Sequence, residues 1–419
     1  MSAATPLRVL FAPETFNLGE TTRAVEVAKA VEAAGGEVLF MGYSRRFADY
    51  VREAGFTLIR LDPELSERDA DQLIAVDQGR SLRHPFTTDI VRRRVASERA
   101  LIECWGPRCI VIGTTLTMFI SARASRVPLA YVRPYAMSRG HLMQMVTFPL
   151  VPGNGPVASR VNRAMGRLVG RVVRSLRWKP RSFRRVAAEH GVRLPPRTIE
   201  ALDADLNLIA SLFPVLDQRP LATGEVAVGP VYARAVEQLP EPLRRLADID
   251  RPVVYVGLGS SAGRRLALLV LEQLSALDIE VVSSAGKYLT TRDRAALPTN
   301  VQVYDFLPAH LLAGSIDASV IHGGEGTVQT ACASGSPFAG VGLQAEQRLN
   351  LDECVRYGNA IRFTEHDLRR GELPGIVDRL LHDAPLRRAA RAVRNLSQPV
   401  GAPRSADLII DLARKGDRE

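Results

Sequence analysis

The sequence predicts an α/β protein of two doubly wound, parallel-sheet domains that face each other across a cleft. Three observations carry this. Short apolar, β-branched runs alternate with stretches of helical spacing, first from Leu7 and again from Val253. A Pro-, Gly- and acid-rich stretch without a long period, 213–251, separates the two series. The 419 residues exceed what one hydrophobic core fills, because single cores stop growing near ~250–300 residues. The expected division is a first domain over 1–215, a linker over 216–250, a second domain over 251–400 and a terminal helix within 401–419.

The elements follow in order. Residues 7–12 form an apolar strand and 13–20 a loop. Residues 21–34 carry Ala24, Val27, Ala28 and Val31 at helical spacing, Gly35-Gly36 stops that helix, and 37–41 is the next strand. Strand, helix, strand with short joints is a parallel unit. Further strands are expected at 57–61, 109–112 and 129–132, with a helix ending at Ser125. From 158 to 193 the character changes. Arg160, Arg163, Arg167, Arg171, Arg174 and Arg177 recur at spacings of three and four, with Val161, Met165, Leu168, Val169 and Val172 on another face. The expectation is an amphipathic helix packed on its domain, with 158–186 as the alternative seat of a peripheral membrane contact. The second series places strands at 253–256, 280–283, 301–304, 318–321 and 338–341, with helices at 264–277, 327–334 and 346–357. A break at 399–403 precedes a last helix at 404–414.

Composition excludes several classes. Apolar residues are 46% and charged residues 24%, an ordinary globular balance. The net charge is +10, yet only Lys29, Lys179, Lys287 and Lys415 are lysines, leaving 51 of the 55 cations as arginine. That bias resembles GC-rich codon usage rather than a phosphate-tracking stripe, and with 6% aromatics a nucleic-acid partner is not expected. The four cysteines show no CxxC spacing, so buried free thiols in a reducing cytoplasm are expected. No secretion signal or ~18-residue apolar run is visible.

The chemistry concentrates in the second half. Ile321-His322-Gly323-Gly324-Glu325-Gly326-Thr327 follows an apolar strand and opens a helix. Glycines there allow close backbone approach, and a helix N-terminus suits a diphosphate. His322 adds a hydrogen-bond donor. Glu346-Gln347, with Asn350, combines a carboxylate and an amide suited to sugar hydroxyls. Upstream, the strand 253–256 runs into Gly257-Leu258-Gly259-Ser260-Ser261, a turn that faces the same pocket. Between them, Phe306 and the Leu307 backbone precede Pro308 and can face a flat base.

In this order and at these distances, the four stretches resemble the nucleotide-sugar half of family 1 (UDP-glycosyltransferase-like) glycosyltransferases, in particular the bacterial branch that decorates natural products. The resemblance implies the GT-B architecture, two Rossmann-like domains with the last helix crossing back to the first. It assigns Gly259, Ser260, Ser261, His322, Gly323, Gly324, Gly326 and Thr327 to the diphosphate, Phe306 and Leu307 to the base, and Glu346 and Gln347 to the sugar. It implies inverting, metal-independent transfer with no cofactor beyond the nucleotide-diphosphate sugar, dTDP- or UDP-linked. The acceptor would be an apolar small molecule bound by the first domain, in specialised-metabolite biosynthesis. Transfer to a lipid-linked phosphate or carboxylate, and a non-catalytic auxiliary role, are the alternatives. The aromatic and Met side chains Phe86, Trp105, Phe119, Tyr135, Met143, Met145 and Phe148 are either ordinary packing or the acceptor pocket's lining.

The sequence departs from the family in places. Gly19-Glu20 stands where the family carries Gly-His, so Glu20 replaces the general-base histidine. The aspartate partner is also missing, with Ile112-Gly113-Thr114-Thr115 in its region. Either Glu20 is the base, or the acceptor arrives already ionised, or catalysis has been lost; Glu14 and His141 are the next candidates for the base. Thr330 stands where a ribose-binding glutamate is usual, which favours a deoxyribose nucleotide. Glu325, beside the expected diphosphate, should point away from it.

Overall fold

The protein is described by a computed structural model over residues 7–77, 81, 84–148, 150–151, 155–217, 220–233, 238–259 and 262–415. The first sheet contains β1 Leu7–Ala12, β2 Gly36–Gly42, β3 Leu58–Arg60, β4 Cys109–Ile112, β5 Leu129–Arg133, β6 Leu206–Ile209 and β7 Glu225–Ala227, in the order β3-β2-β1-β4-β5-β6-β7. The second contains β8 Val253–Gly257, β9 Glu280–Ser283, β10 Val301–Val303, β11 Ala318–Ile321, β12 Phe338–Val341 and β13 Ala360–Phe363, in the order β10-β9-β8-β11-β12-β13. All pairings are parallel, as the alternating series predicts. Strands β4, β8, β11 and β12 are buried along their whole length. That is why they read as unbroken apolar runs rather than alternating ones.

Strand order reverses once in each sheet, between β1 and β4 and between β8 and β11. The register sets Ala12 beside Ile112 and Gly257 beside Ile321. The residues that follow these pairs therefore emerge side by side, at the points where doubly wound sheets open a crevice. The lobes meet through Tyr135, Ile209, Leu212 and Phe213 from the first lobe and Ile321, Val328, Phe338 and Leu351 from the second.

The last helix, Gly401–Lys415, starts three residues before the sequence suggests, because Pro403 in its first turn needs no backbone donor there. It leaves the second lobe and buries Ala406, Ile409 and Ala413 in the core of the first, beside Val9, Val27 and Val31.

Three expectations change. The stretch 216–250 is not linker throughout, since β7 pairs with β6 and Val228 is buried in the first core. The 158–193 stretch is two helices, Pro156–Ser175 and Arg181–Glu189, parted at Pro180, where the residue before a proline resists helical geometry. Phe86, Phe119, Tyr135 and Met145 are buried, while Trp105, Met143 and Phe148 are partly exposed. Phe86 packs with Phe183 and Val95, and Phe119 with Tyr131, so these serve as packing.

Ile409→Ala should destabilise the first lobe by about 2–4 kcal/mol. Denaturant unfolding followed by first-lobe probes checks this, and a loss confined to the second lobe would contradict the packing.

Candidate active site

The crevice between β1 and β4 holds Glu20. Asn17 caps the helix Leu18–Ala33, accepting from Glu20 N–H at 3.3 Å. Glu20 then turns its carboxylate back under β1 and β4. Its Oε1 accepts from the backbone N–H of Glu14 and of Thr114, each at 2.7 Å, and its Oε2 accepts from the Thr114 hydroxyl at 2.6 Å. The space exists because residue 113 is glycine: a Cβ there would stand 1.9 Å from Glu20 Oε1. The Glu20 side chain and the glycine at 113 thus fit each other. Burial is the largest influence on this carboxyl and raises its pKa from 4.5 to about 7, against the three hydrogen bonds that favour its charge.

Glu14 is buried and ion-paired with Arg94 at 2.6 Å. The Arg94 guanidinium lies 3.7 Å from the Tyr43 ring centre and 4.8 Å from that of Phe86. Tyr43 donates to the buried Glu98 at 2.7 Å, and Thr117 donates to Glu98 at 2.5 Å. This cluster beneath the first crevice had no signature in the sequence, because its members are far apart along the chain. His141 is buried against the Tyr135 ring at 4.7 Å.

The crevice between β8 and β11 holds His322. The Gly257 carbonyl accepts from both the backbone N–H and the ring Nδ1 of His322, each at 3.2 Å. A carbonyl only accepts, so Nδ1 carries a proton. The ring's other edge is framed by Gly259 and Gly324, where a Cβ would approach Nε2 to 2.3 and 2.5 Å. Burial lowers the His322 pKa below 6.5, and Lys287 pushes it the same way. Lys287 follows β9, and its neighbour Tyr288 donates to the Gly259 carbonyl. A lone lysine carries no pattern, and only the fold places it here.

The helix Glu325–Ser334 begins after Gly324, with Gly326 exposed and Thr327 partly exposed at its first turn. The Thr330 hydroxyl donates to the Gly326 carbonyl at 2.9 Å. Glu325 turns toward the first lobe, as its charge beside an anion would require. Its Oε1 lies 3.4 Å from Tyr135 N–H and its Oε2 4.0 Å from Arg23. Arg23 stands one helical turn after Glu20, so one helix presents a carboxylate to the first crevice and a cation to the second lobe.

In the helix Ala345–Tyr357, Glu346 is exposed and accepts from Asn350 at 3.2 Å, while Asn350 also donates to the Gly323 carbonyl at 3.1 Å. Gln347 differs: it is buried, and its Oε1 accepts from the Leu343 and Gln344 N–H groups at 3.0 and 3.2 Å. That oxygen caps the helix. Phe306 is 59% exposed while Leu307 is buried, so the Phe306 ring stands out from the surface. Ser260 and Ser261 lie outside the described residues.

Residues 268–411 match the family described as erythromycin biosynthesis protein CIII-like, C-terminal domain. A PGL/p-HBAD biosynthesis glycosyltransferase of Mycobacterium tuberculosis is 26% identical over 401 residues, covering 94% of this chain and 89% of its own. A PGL/p-HBAD biosynthesis rhamnosyltransferase of Mycobacterium bovis is 26% identical over 396 residues, covering 93% and 84%. The chain is a glycosyltransferase of GT-B fold. Its fold is shared with the solved glycosyltransferase SnogD from Streptomyces nogalater, at TM-score 0.67 and 21% identity over 98% of this chain and 100% of that one. It is shared equally with the glycosyltransferase VinC, solved with DTDP, at TM-score 0.71 and 18% identity over 97% and 100%. Among the described residues of this glycosyltransferase, no helix is long and apolar enough to cross a membrane.

Thr114→Val removes a donor to the ionised Glu20 carboxylate and should raise its pKa further above 7. A carboxyl titration followed by NMR checks this; an unchanged or lowered value contradicts the hydrogen-bond assignment.

Proposed function

We propose that this glycosyltransferase transfers a sugar from a dTDP-linked donor to the hydroxyl of an apolar acceptor, with inversion, and that Glu20 is the base. The observation that carries the reading is the helix Leu18–Ala33. Glu20 is fixed in the first lobe's crevice, and Arg23 on the same face reaches Glu325, next to the His322 loop. Base and diphosphate cradle thus share one cleft.

In the reaction, the acceptor O–H proton passes to the Glu20 carboxylate as the oxygen attacks the anomeric carbon. The bond from that carbon to the β-phosphate oxygen breaks, and its electron pair leaves on the nucleoside diphosphate. A carboxyl with pKa about 7 is matched to proton transfer near neutral pH. The negative charge developing on the leaving group meets Gly324–Thr327 at the helix start, Lys287 and His322. Glu346, held by Asn350, faces the sugar, and Phe306 faces the base. The Thr330 hydroxyl, spent on the Gly326 carbonyl, leaves no ribose contact at that position, which supports a deoxyribose nucleotide. The solved relatives VinC and SpnG carry DTDP and thymidine diphosphate, in keeping with this. Exposed Leu18 and Met137 near the cleft favour an apolar acceptor.

A second reading rests on the three hydrogen bonds that already occupy Glu20: an acceptor that is ionised on arrival would need no base. Glu20→Gln separates the two. Glutamine keeps the two backbone contacts, so the fold is retained. Turnover with donor and acceptor should fall by ~10²–10⁴-fold if Glu20 is the base; a loss of only a few-fold favours the ionised acceptor. Stability supplies a folding check. Between pH 4.5 and about 7 the folded protein keeps a proton that the unfolded chain has released. This group's contribution to stability is therefore lost as pH rises through that window. Glu20→Gln should remove that part of the pH dependence.

His322 gives a test of donor binding. With Nδ1–H given to Gly257, donation from Nε2 to a phosphate oxygen needs the imidazolium form. Binding of dTDP should therefore take up a proton at neutral pH, and affinity should strengthen as pH falls through the pKa of the bound form. Calorimetry in buffers of different ionisation enthalpy reads this uptake. His322→Ala should abolish it and weaken binding by roughly 10–100-fold; uptake that persists in the variant contradicts the role given to His322.

A further inference from the structure

The helix Pro156–Ser175 has three distinct faces. At 100° per residue, Ala158, Asn162, Gly166 and Gly170 span about 120° of arc, and these four are the buried positions. Glycine is required at 166, where a Cβ would stand 2.6 Å from the Val146 and Thr147 backbone. Asn162 pairs with both backbone groups of Val151, at 2.8 and 2.9 Å. The helix is therefore docked through its small residues, and its apolar stripe points outward. Val157, Val161, Leu168 and Val172 fall within about 60° of arc, and all are exposed, Val157 at 73% and Leu168 at 49%. Val146, Leu150 and Val151 on the adjoining segment are exposed too, as are Leu176 and Trp178 just past the helix, Trp178 at 66%.

The third face carries Arg160, Arg163, Arg167, Arg171 and Arg174. Arg174 donates to the Met143 carbonyl. The other four have no acidic partner among the described residues. No Asp or Glu occurs anywhere between Glu103 and Glu189.

We infer that this helix is an interfacial docking surface for an anionic lipid bilayer. The Val/Leu stripe and Trp178 would enter the headgroup boundary, and the flanking arginines would meet lipid phosphates. Charge decides against a second copy of the chain as the occupant, because a two-fold contact through this face would oppose two arginine rows. The same lobe carries Glu20, so docking would bring the acceptor side of the cleft to a membrane-dissolved acceptor. The inference holds whatever the donor nucleotide.

The test is co-sedimentation of the full chain with phosphatidylglycerol-containing and pure phosphatidylcholine vesicles. Binding is expected on the anionic vesicles only and should be lost at about 0.5 M salt. Arg163→Gln with Arg167→Gln should lower partitioning by roughly 10–30-fold, and Val161→Ser with Leu168→Ser should lower it at low salt. All four positions are exposed, and unchanged circular dichroism and thermal unfolding in both variants would verify their fold independently of the docking and of the donor. Failure of the wild type to bind anionic vesicles would overturn the inference. So would binding unaffected by either pair of substitutions, or a concentration-dependent dimer that Val161→Ser with Leu168→Ser disperses.

Discussion

Parallel strand pairing is the constraint on which the rest of this molecule rests. It sends every strand's carboxyl end to one edge of its sheet, so loops from distant parts of the sequence must meet there. A single reversal of strand order in each sheet then opens a gap between two of those loops. In the first sheet the gap receives Glu20, bounded by the loops after β1 and β4. In the second it receives His322, bounded by the loops after β8 and β11. Both groups owe their positions to glycines, at 113 for one and at 259 and 324 for the other.

The two gaps also share an electrostatic character. Burial pushes the carboxyls of Glu20 and Glu325 upward and the imidazole of His322 downward, so each is driven toward its uncharged form. The diphosphate proposed to bind here would bring the charge, to the helix start beyond Gly324 and to the Lys287 ammonium.

Much of this could be read from the residues in order. The alternation of apolar runs and helical spacing marked most strands, and the glycine-rich turn after β11 marked the start of the helix Glu325–Ser334. What escaped had physical reasons. Strand β7 is three residues long at a sheet edge, inside a Pro- and Gly-rich stretch that reads as linker. The fit of Glu20 against Gly113 joins positions distant in sequence, and Arg23 and Lys287 are single cations without spacing to betray them. Gln347 showed its amide but not that the amide would be used as a cap. For the helix Pro156–Ser175, periodicity separated the faces correctly but could not say which one turns inward. The usual assumption that the apolar side is buried fails because glycines allow closer backbone contact.

The last helix is continuous in sequence with the second lobe but is a structural part of the first. Its Ile409 and Ala413 complete a core whose other members come mostly from the chain's beginning. The first lobe therefore reaches its full core only after residues 401–415 have been synthesised. A chimaera that exchanges lobes between relatives must divide the chain twice, taking Gly401–Lys415 from the parent that supplies the amino-terminal half.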